Sequence, residues 1–168
     1  DSIYVVNATK QRGPLPLPKD YKKSLNNRFL YTLSELDDEE QKKATEFLKS
    51  FKPIYELDEN KYSEYYFGLL NGKKLGKSTF YYNKPVYILA NEKTFSAASV
   101  FVSAFKDLPN IKIAGLTTDG SSGNNEWVDL PNSKLFGKIS TMVSFQKNGE
   151  ILDGYGTEPN IKIERDLN

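Results

Sequence analysis

Apolar and polar positions along the chain predict its elements directly. Ala44, Phe47, Leu48 and Phe51 recur at i, i+3, i+4 and i+7, the spacing of one helix face. Ser34 and Asp37 are both N-cap candidates for that helix. Asp38, Glu39 and Glu40 fill its first turn, where the dipole favours anions, and Pro53 ends it. This acidic run reads as a solvated helix start rather than a binding patch. Residues 85–90 form a near-continuous apolar run, the mark of a strand buried on both faces. Residues 95–105 follow as an apolar, small-residue helix, and residues 111–115 as a second short strand. Strand, helix and strand at this spacing make a βαβ unit, parallel and right-handed.

Elsewhere the pattern is weaker. Residues 3–6 read as a strand, and the chain up to residue 36 then looks irregular. Gly13-Pro14-Leu15-Pro16-Leu17-Pro18 fits polyproline II or an extended connector, because proline fixes φ and lacks an N–H. Residues 54–83 are rich in Tyr and Phe around Asn71-Gly72. That pair predicts a tight turn between two extended stretches, more in keeping with a packed surface hairpin than a substrate lid. Strands follow at 127–130 and 135–145, then an Asn148-Gly149 hairpin turn and a strand at 161–163. No repeat or internal boundary interrupts the chain, so residues 1–168 are expected to form a single α/β domain.

Composition narrows the chemistry. The 168 residues carry 23 Lys and Arg against 22 Asp and Glu, a net charge of +1 that gives no footprint for nucleic acid. There is no Cys and no His. Thiolate nucleophiles, disulfides and Cys or His metal ligands are therefore absent from this sequence, and so is the commonest general base. No cofactor is expected. No apolar stretch approaches the ~18 residues of a membrane span. The chain opens Asp1-Ser2-Ile3 without Met or signal peptide, as expected of a piece of a longer protein.

The most specific feature is the junction Asn91-Glu92-Lys93-Thr94-Phe95-Ser96-Ala97-Ala98-Ser99. A buried strand runs into a short turn, with Ser96 at the start of a hydrophobic helix. Free N–H groups and partial positive charge there would stabilise a developing oxyanion, with the Ala97 N–H as the natural donor. Thr94 or Ser96 could equally be a plain N-cap. A polar, glycine-punctuated loop, residues 115–123, follows the second strand; its glycine spacing is neither a P-loop nor a dinucleotide fingerprint. Asp153 lies in Asp153-Gly154-Tyr155-Gly156, where a carboxylate serves either a turn or a site.

Taken in order, these segments resemble the catalytic half of the C-terminal processing (tail-specific) serine protease family, which includes the tricorn protease core. The shared frame is an apolar strand, Thr-x-Ser-Ala, a buried helix, Ile-x-Gly-x-x-Thr-x-Gly, then Asp-Gly-x-Gly-x-x-Pro. Here it reads as 86–90, Thr94-Phe95-Ser96-Ala97, Ile113 to Gly115 with Thr118 and Gly120, and Asp153-Gly154-Tyr155-Gly156 with Pro159 and Ile161. The resemblance implies a Clp-protease/crotonase-like α/β fold, here an incomplete domain lacking its N-terminal part. It implies Ser96 as nucleophile and the Ala97 amide as one oxyanion donor, the second coming from a Gly-Gly segment that this chain lacks. The tail-specific branch uses a lysine base whose place here is Ser121; neither Lys93 nor Lys106 stands there, and both are expected to be solvated. The tricorn-like branch uses an upstream His, with an acidic residue at the place of Asp153. Ser99 stands where relatives often carry Glu, and Asn160 where they usually carry Asp.

The function so implied is a serine-type endopeptidase working through an acyl-enzyme on Ser96. Its base would be a His outside this chain, and the chain alone would be inactive. The expected partners are a polypeptide substrate and the remainder of the catalytic domain. The expected location is the bacterial periplasm or cell envelope. Two other readings stand beside it: a family member that binds peptide or ligand without catalysis, and a crotonase-like enzyme acting on acyl thioesters, which would not need a serine at 96.

Overall fold

The computed structural model describes residues 2–76, 80 and 82–164. Its centre is a four-stranded antiparallel sheet in the spatial order Leu30–Tyr31 (β2), Tyr66–Asn71 (β3), Ile3–Gln11 (β1) and Met142–Gln146 (β8). Strand β1 (Ile3–Gln11) lies between β3 (Tyr66–Asn71) and β8 (Met142–Gln146), with Ile3 opposite Asn71 and Gln11 opposite Met142. It is longer than the expected 3–6 because its polar half is buried and paired. Thr9 Oγ1 lies 3.3 Å from Ser144 Oγ, and the Gln11 amide donates to Ser63 Oγ at 3.1 Å. Two neighbouring strands satisfy the backbone there, so no apolar alternation is needed to hold it.

The stretch expected to be irregular before residue 36 holds three elements: α1 (Lys19–Asn26), β2 (Leu30–Tyr31) and a 3₁₀ turn at Leu33–Glu35. Helix α1 leaves no apolar periodicity in the sequence, because one buried residue, Leu25, anchors an otherwise Lys-rich turn. Helix α2 (Asp38–Ser50) follows its sequence pattern closely. Asp37 is the N-cap, accepting from the Glu40 amide at 3.0 Å, and Glu40 returns the bond to the Asp37 amide. Ser34 lies inside the 3₁₀ turn and caps nothing.

The expected hairpin around Asn71-Gly72 is not seen among the described residues. Strand β3 pairs with β1 and β2, and Gly72–Lys74 turns as a 3₁₀ helix instead. Of the second arm, residues 77–79 and 81 lie outside the described residues. The aromatics nearer the sheet pack. Phe145 is fully buried and meets Phe51, Tyr55 and Tyr65 edge-on at 6.1, 6.2 and 6.4 Å. Phe67 joins Phe47 and Ala44 beneath α2.

The expected βαβ unit is present. Strands β4 (Val86–Ala90) and β5 (Ile111–Gly115) are parallel, with Val86 opposite Ile111, and α3 (Ala97–Phe105) connects them; β9 (Ile161–Lys162) adds parallel to β5. Burial differs from expectation. Ala90, Val102 and Ile113 form a small core between sheet and helix, but Tyr87 and Leu89 are 60% and 77% exposed. Strand β4 is the sheet's edge, and no described layer covers its outer face. Phe95 precedes the helix and points to solvent, and Phe101 is half-exposed. The expected strand 135–145 is two strands broken at Thr141: β7 (Leu135–Ser140) pairs with β6 (Asn125–Leu130), whereas β8 joins the central sheet. The Asn148-Gly149 turn forms as expected, with Phe145 bridging Ile151.

Phe145 ties α2, the 55–65 segment and β8 into one core. Phe145→Ala is expected to lower unfolding free energy by about 3–5 kcal/mol in urea denaturation; a loss under about 1 kcal/mol would show that the cluster does not hold these elements together.

Candidate active site

The turn after β4 is built by short polar side chains. Asn91 Oδ1 accepts from the Lys93 amide at 3.0 Å, and the Asn91 amide donates to Thr94 Oγ1 at 3.0 Å. The Thr94 hydroxyl is thus consumed inside the turn and does not cap α3. Ser96 occupies the N-cap position with φ 55° and ψ −131°, and its hydroxyl makes no capping bond. For a residue with a Cβ this conformation costs about 1–3 kcal/mol and persists only where the surroundings enforce it. A serine on a strained strand-to-helix turn, exposed at the end of a sheet, is the geometry of a nucleophile elbow. Ser96, Ala97 and Ala98 are all exposed. The Ser96 amide donates to the Ser121 carbonyl at 2.7 Å, and Ala98 N–H turns back to the Phe95 carbonyl at 3.2 Å. Among the described residues no acceptor meets the Ala97 N–H.

The loop 115–123 lies beside this elbow, and its glycines are there for space. A Cβ on Gly115 (φ 125°) would collide with the Ala90 carbonyl of β4. One on Gly120 (φ 81°) would strike the Gly156 amide and the Leu152 carbonyl; one on Gly156 (φ 75°) would strike the Thr118 carbonyl. The glycine-bearing loop and the Asp-Gly-x-Gly turn are therefore in backbone contact. They are stitched by the Thr118 amide to the Thr157 carbonyl (3.2 Å), the Thr157 amide to Thr118 Oγ1 (2.9 Å) and the Gly154 amide to the Gly120 carbonyl (3.2 Å).

Asp153 is held by that loop from the other side. Its Oδ1 accepts from Ser122 Oγ at 2.6 Å and its Oδ2 from the Ser144 amide at 2.7 Å. Burial pushes its carboxyl above the usual aspartate range, and the two hydrogen bonds offset part of that rise. Ser96 and Asp153 thus share one support: the Ser121 carbonyl holds the amide of the first, and the Ser122 hydroxyl holds the carboxylate of the second. Sequence reasoning had not singled out Ser122 or Ser144. Nor had it found Arg28, whose Nη1 donates to the Ser122 carbonyl at 3.1 Å; no local pattern points across 94 residues.

The other candidates fall outside this arrangement. Lys93 is exposed, as expected. Lys106 is half-buried rather than solvated, its Nζ donating to the Glu158 carbonyl at 2.7 Å. Asn160 locks β5: its Oδ1 accepts from the Ile113 amide and its Nδ2 donates to Asp107, both at 2.9 Å. A carboxylate in that place could not donate to Asp107, which accounts for the amide. No group of three or more Asp and Glu side chains placed to hold a metal ion occurs among the described residues.

A strained, exposed serine ahead of a helix, with a free amide beside it and a half-buried carboxylate across one loop, is an arrangement suited to acyl transfer. The model for peptidase family S41 matches residues 17–163, and the chain belongs to this family of serine-type peptidases. Two crystal structures, mature CPAF complexed with lactacystin and a CPAF mutant, share the fold. Their TM-scores are 0.54 and 0.55 and their identities 21% and 20%; they cover 96% and 97% of this chain and 34% and 33% of their own. A protein of Chlamydia muridarum is 32% identical over 84 residues, which is 49% of this chain and 14% of its own length. The chain therefore spans about a third of these structures and about a seventh of that relative.

Two measurements check the geometry. Ser96→Gly relieves the positive-φ strain and is expected to be about 1 kcal/mol more stable than Ser96→Ala in urea; equal stability would mean that residue 96 is unstrained. Asp153 binds its proton more tightly folded than unfolded, so its contribution to stability falls as pH rises from the ordinary carboxyl value through the raised one. Asp153→Asn removes that fall. The stability of the variant relative to the parent is expected to improve across this window and to stay level on either side. A difference independent of pH would contradict the raised value.

Proposed function

We propose that this chain carries the nucleophile of a serine endopeptidase whose general base lies on polypeptide outside the sequence given. The observation that carries the reading is Ser96 itself, exposed and strained, with an uncommitted hydroxyl and the Ala97 N–H free beside it. Ser96 Oγ bonds to the scissile carbonyl carbon while its proton passes to the base. The carbonyl oxygen becomes an oxyanion facing the Ala97 N–H. The C–N bond then breaks, the base returns its proton to the leaving amine, and water hydrolyses the ester on Ser96. Asp153, with Ser122 and Ser144, orients the group that holds the base. A serine hydroxyl is a poor nucleophile unaided, so the chain by itself is inactive.

The substrate is a polypeptide, as the family supports. The second partner is the remainder of the catalytic domain. The uncovered apolar face of β4, with Tyr87 and Leu89 on an open sheet edge, suits docking of such a segment. Export to the periplasm or cell envelope belongs to the same proposal and rests on the resemblance alone; no helix among the described residues is long and apolar enough to cross a membrane. One observation favours the other reading, a module that binds peptide without cutting it: Ser121 stands at the place of the lysine base, in a chain without histidine.

The deciding experiment is treatment of the full-length protein with a fluorophosphonate probe. Labelling at Ser96 that is lost in Ser96→Ala is the expected result. Correctly folded full-length protein that stays unlabelled would replace the peptidase with the binding module.

A further inference from the structure

Ser99 is a fully buried polar side chain in the first turn of α3, and both hydrogen-bonding capacities of its hydroxyl are used. Its Oγ donates to the Thr94 carbonyl at 2.7 Å and accepts from the Gly120 amide at 3.2 Å. The Thr94 carbonyl also accepts from the Asp119 amide at 2.9 Å, and one residue beyond Gly120 the Ser121 carbonyl accepts from the Ser96 amide at 2.7 Å. The hydroxyl therefore closes a ring that runs from Thr94 through Ser99 to Gly120 and Ser121 and back to Ser96. The strained residue lies inside that ring, with its neighbours on both sides fixed.

We infer that Ser99 is the positioning residue for Ser96, keeping the elbow in its strained conformation by bonding the turn before it and the loop beside it at once. The inference rests on the peptidase reading for its kinetic consequence but not for its structural one. An ionised carboxylate accepts only, whereas a hydroxyl both donates to Thr94 and accepts from Gly120. The hydroxyl also does not titrate in the working range, so the geometry it sets is independent of pH.

The test uses Ser99→Ala, with Ser99→Cys as a second variant that keeps most of the volume and a weak donor. In the full-length protein, fluorophosphonate labelling is resolved into affinity and the rate constant of the covalent step, in which Ser96 Oγ bonds to phosphorus, fluoride leaves and the proton goes to the base. Measured well below the melting temperature, Ser99→Ala is expected to slow the covalent step by about tenfold or more, as misplacement of a reacting group does. Affinity should stay within about threefold, the pH profile should keep its shape, and Ser99→Cys should fall between. A covalent step within about threefold of the parent in folded Ser99→Ala would overturn the inference and leave Ser99 a packing residue.

A parent protein that is not labelled would refute the peptidase reading instead, and a stability cycle on the full-length protein then decides the role of Ser99. Ser96→Gly should raise the folding equilibrium constant about fivefold with Ser99 present and less than about twofold in Ser99→Ala, because the elbow has already relaxed, with Ser99→Cys between the two. Equal gains in all backgrounds would overturn the inference on this arm.

Discussion

Backbone meeting backbone, without side chains between, is the constraint on which the site depends. The loop 115–123 runs against the end of β4 and the elbow on one side and against the turn 152–157 on the other. Gly115, Gly120 and Gly156 stand where any Cβ would collide with a carbonyl or amide. The approach puts amides within reach of carbonyls across three segments distant in sequence, and hydrogen bonds then hold them. The same closeness brings the Gly120 amide to the Ser99 hydroxyl and the Ser121 carbonyl to the Ser96 amide, the contacts that surround Ser96 at φ 55°. A single elbow bond would not outweigh a conformational cost of about 1–3 kcal/mol, but an interlocked set can.

This dependence explains what could be read from the sequence and what could not. The glycine motifs, the Thr-Phe-Ser-Ala junction and the βαβ unit are local patterns with strong steric reasons, and each lies where its residues predict. Helix α2 was legible because Asp37, Glu40 and the Ala44–Phe47–Leu48–Phe51 face act within one helix. Strand β1 beyond residue 6 was not, because Thr9 and Gln11 are satisfied by Ser144 and Ser63, residues far away along the chain. Asn71-Gly72 misled for the same reason. A turn signal says that the chain bends, not which strand it will pair with, and β3 pairs with β1 and β2. The partners of Asp153 were equally hidden, since Ser122 and Ser144 reach it only after loop and sheet have come together.

Electrostatics adds a second layer to the same support. Ser122 gives its hydroxyl to Asp153 and receives the Arg28 guanidinium at its carbonyl. A carboxylate raised by burial and steadied by two donors is poised to respond to a cation placed against it. A protonated base would stabilise the ionised Asp153 and be stabilised in return. Asp153 in isolation is therefore incomplete in an electrostatic sense, as β4 is incomplete in a packing sense.

These two deficits bear on one another. Strand β4 leads directly into the elbow, and among the described residues no strand pairs with its outer edge, beside the exposed Tyr87 and Leu89. A segment that paired there and packed on the adjoining face would bury that apolar surface and would run beside the turn that bears Ser96, where the proposed peptidase would need a base and a second oxyanion donor. Coverage of an apolar edge and delivery of catalytic groups would then be one event, with the hydrophobic contribution offsetting the cost of placing charge near a half-buried carboxylate. Such coupling would leave the elbow preformed in the chain described here while making its chemistry depend on completion of the sheet.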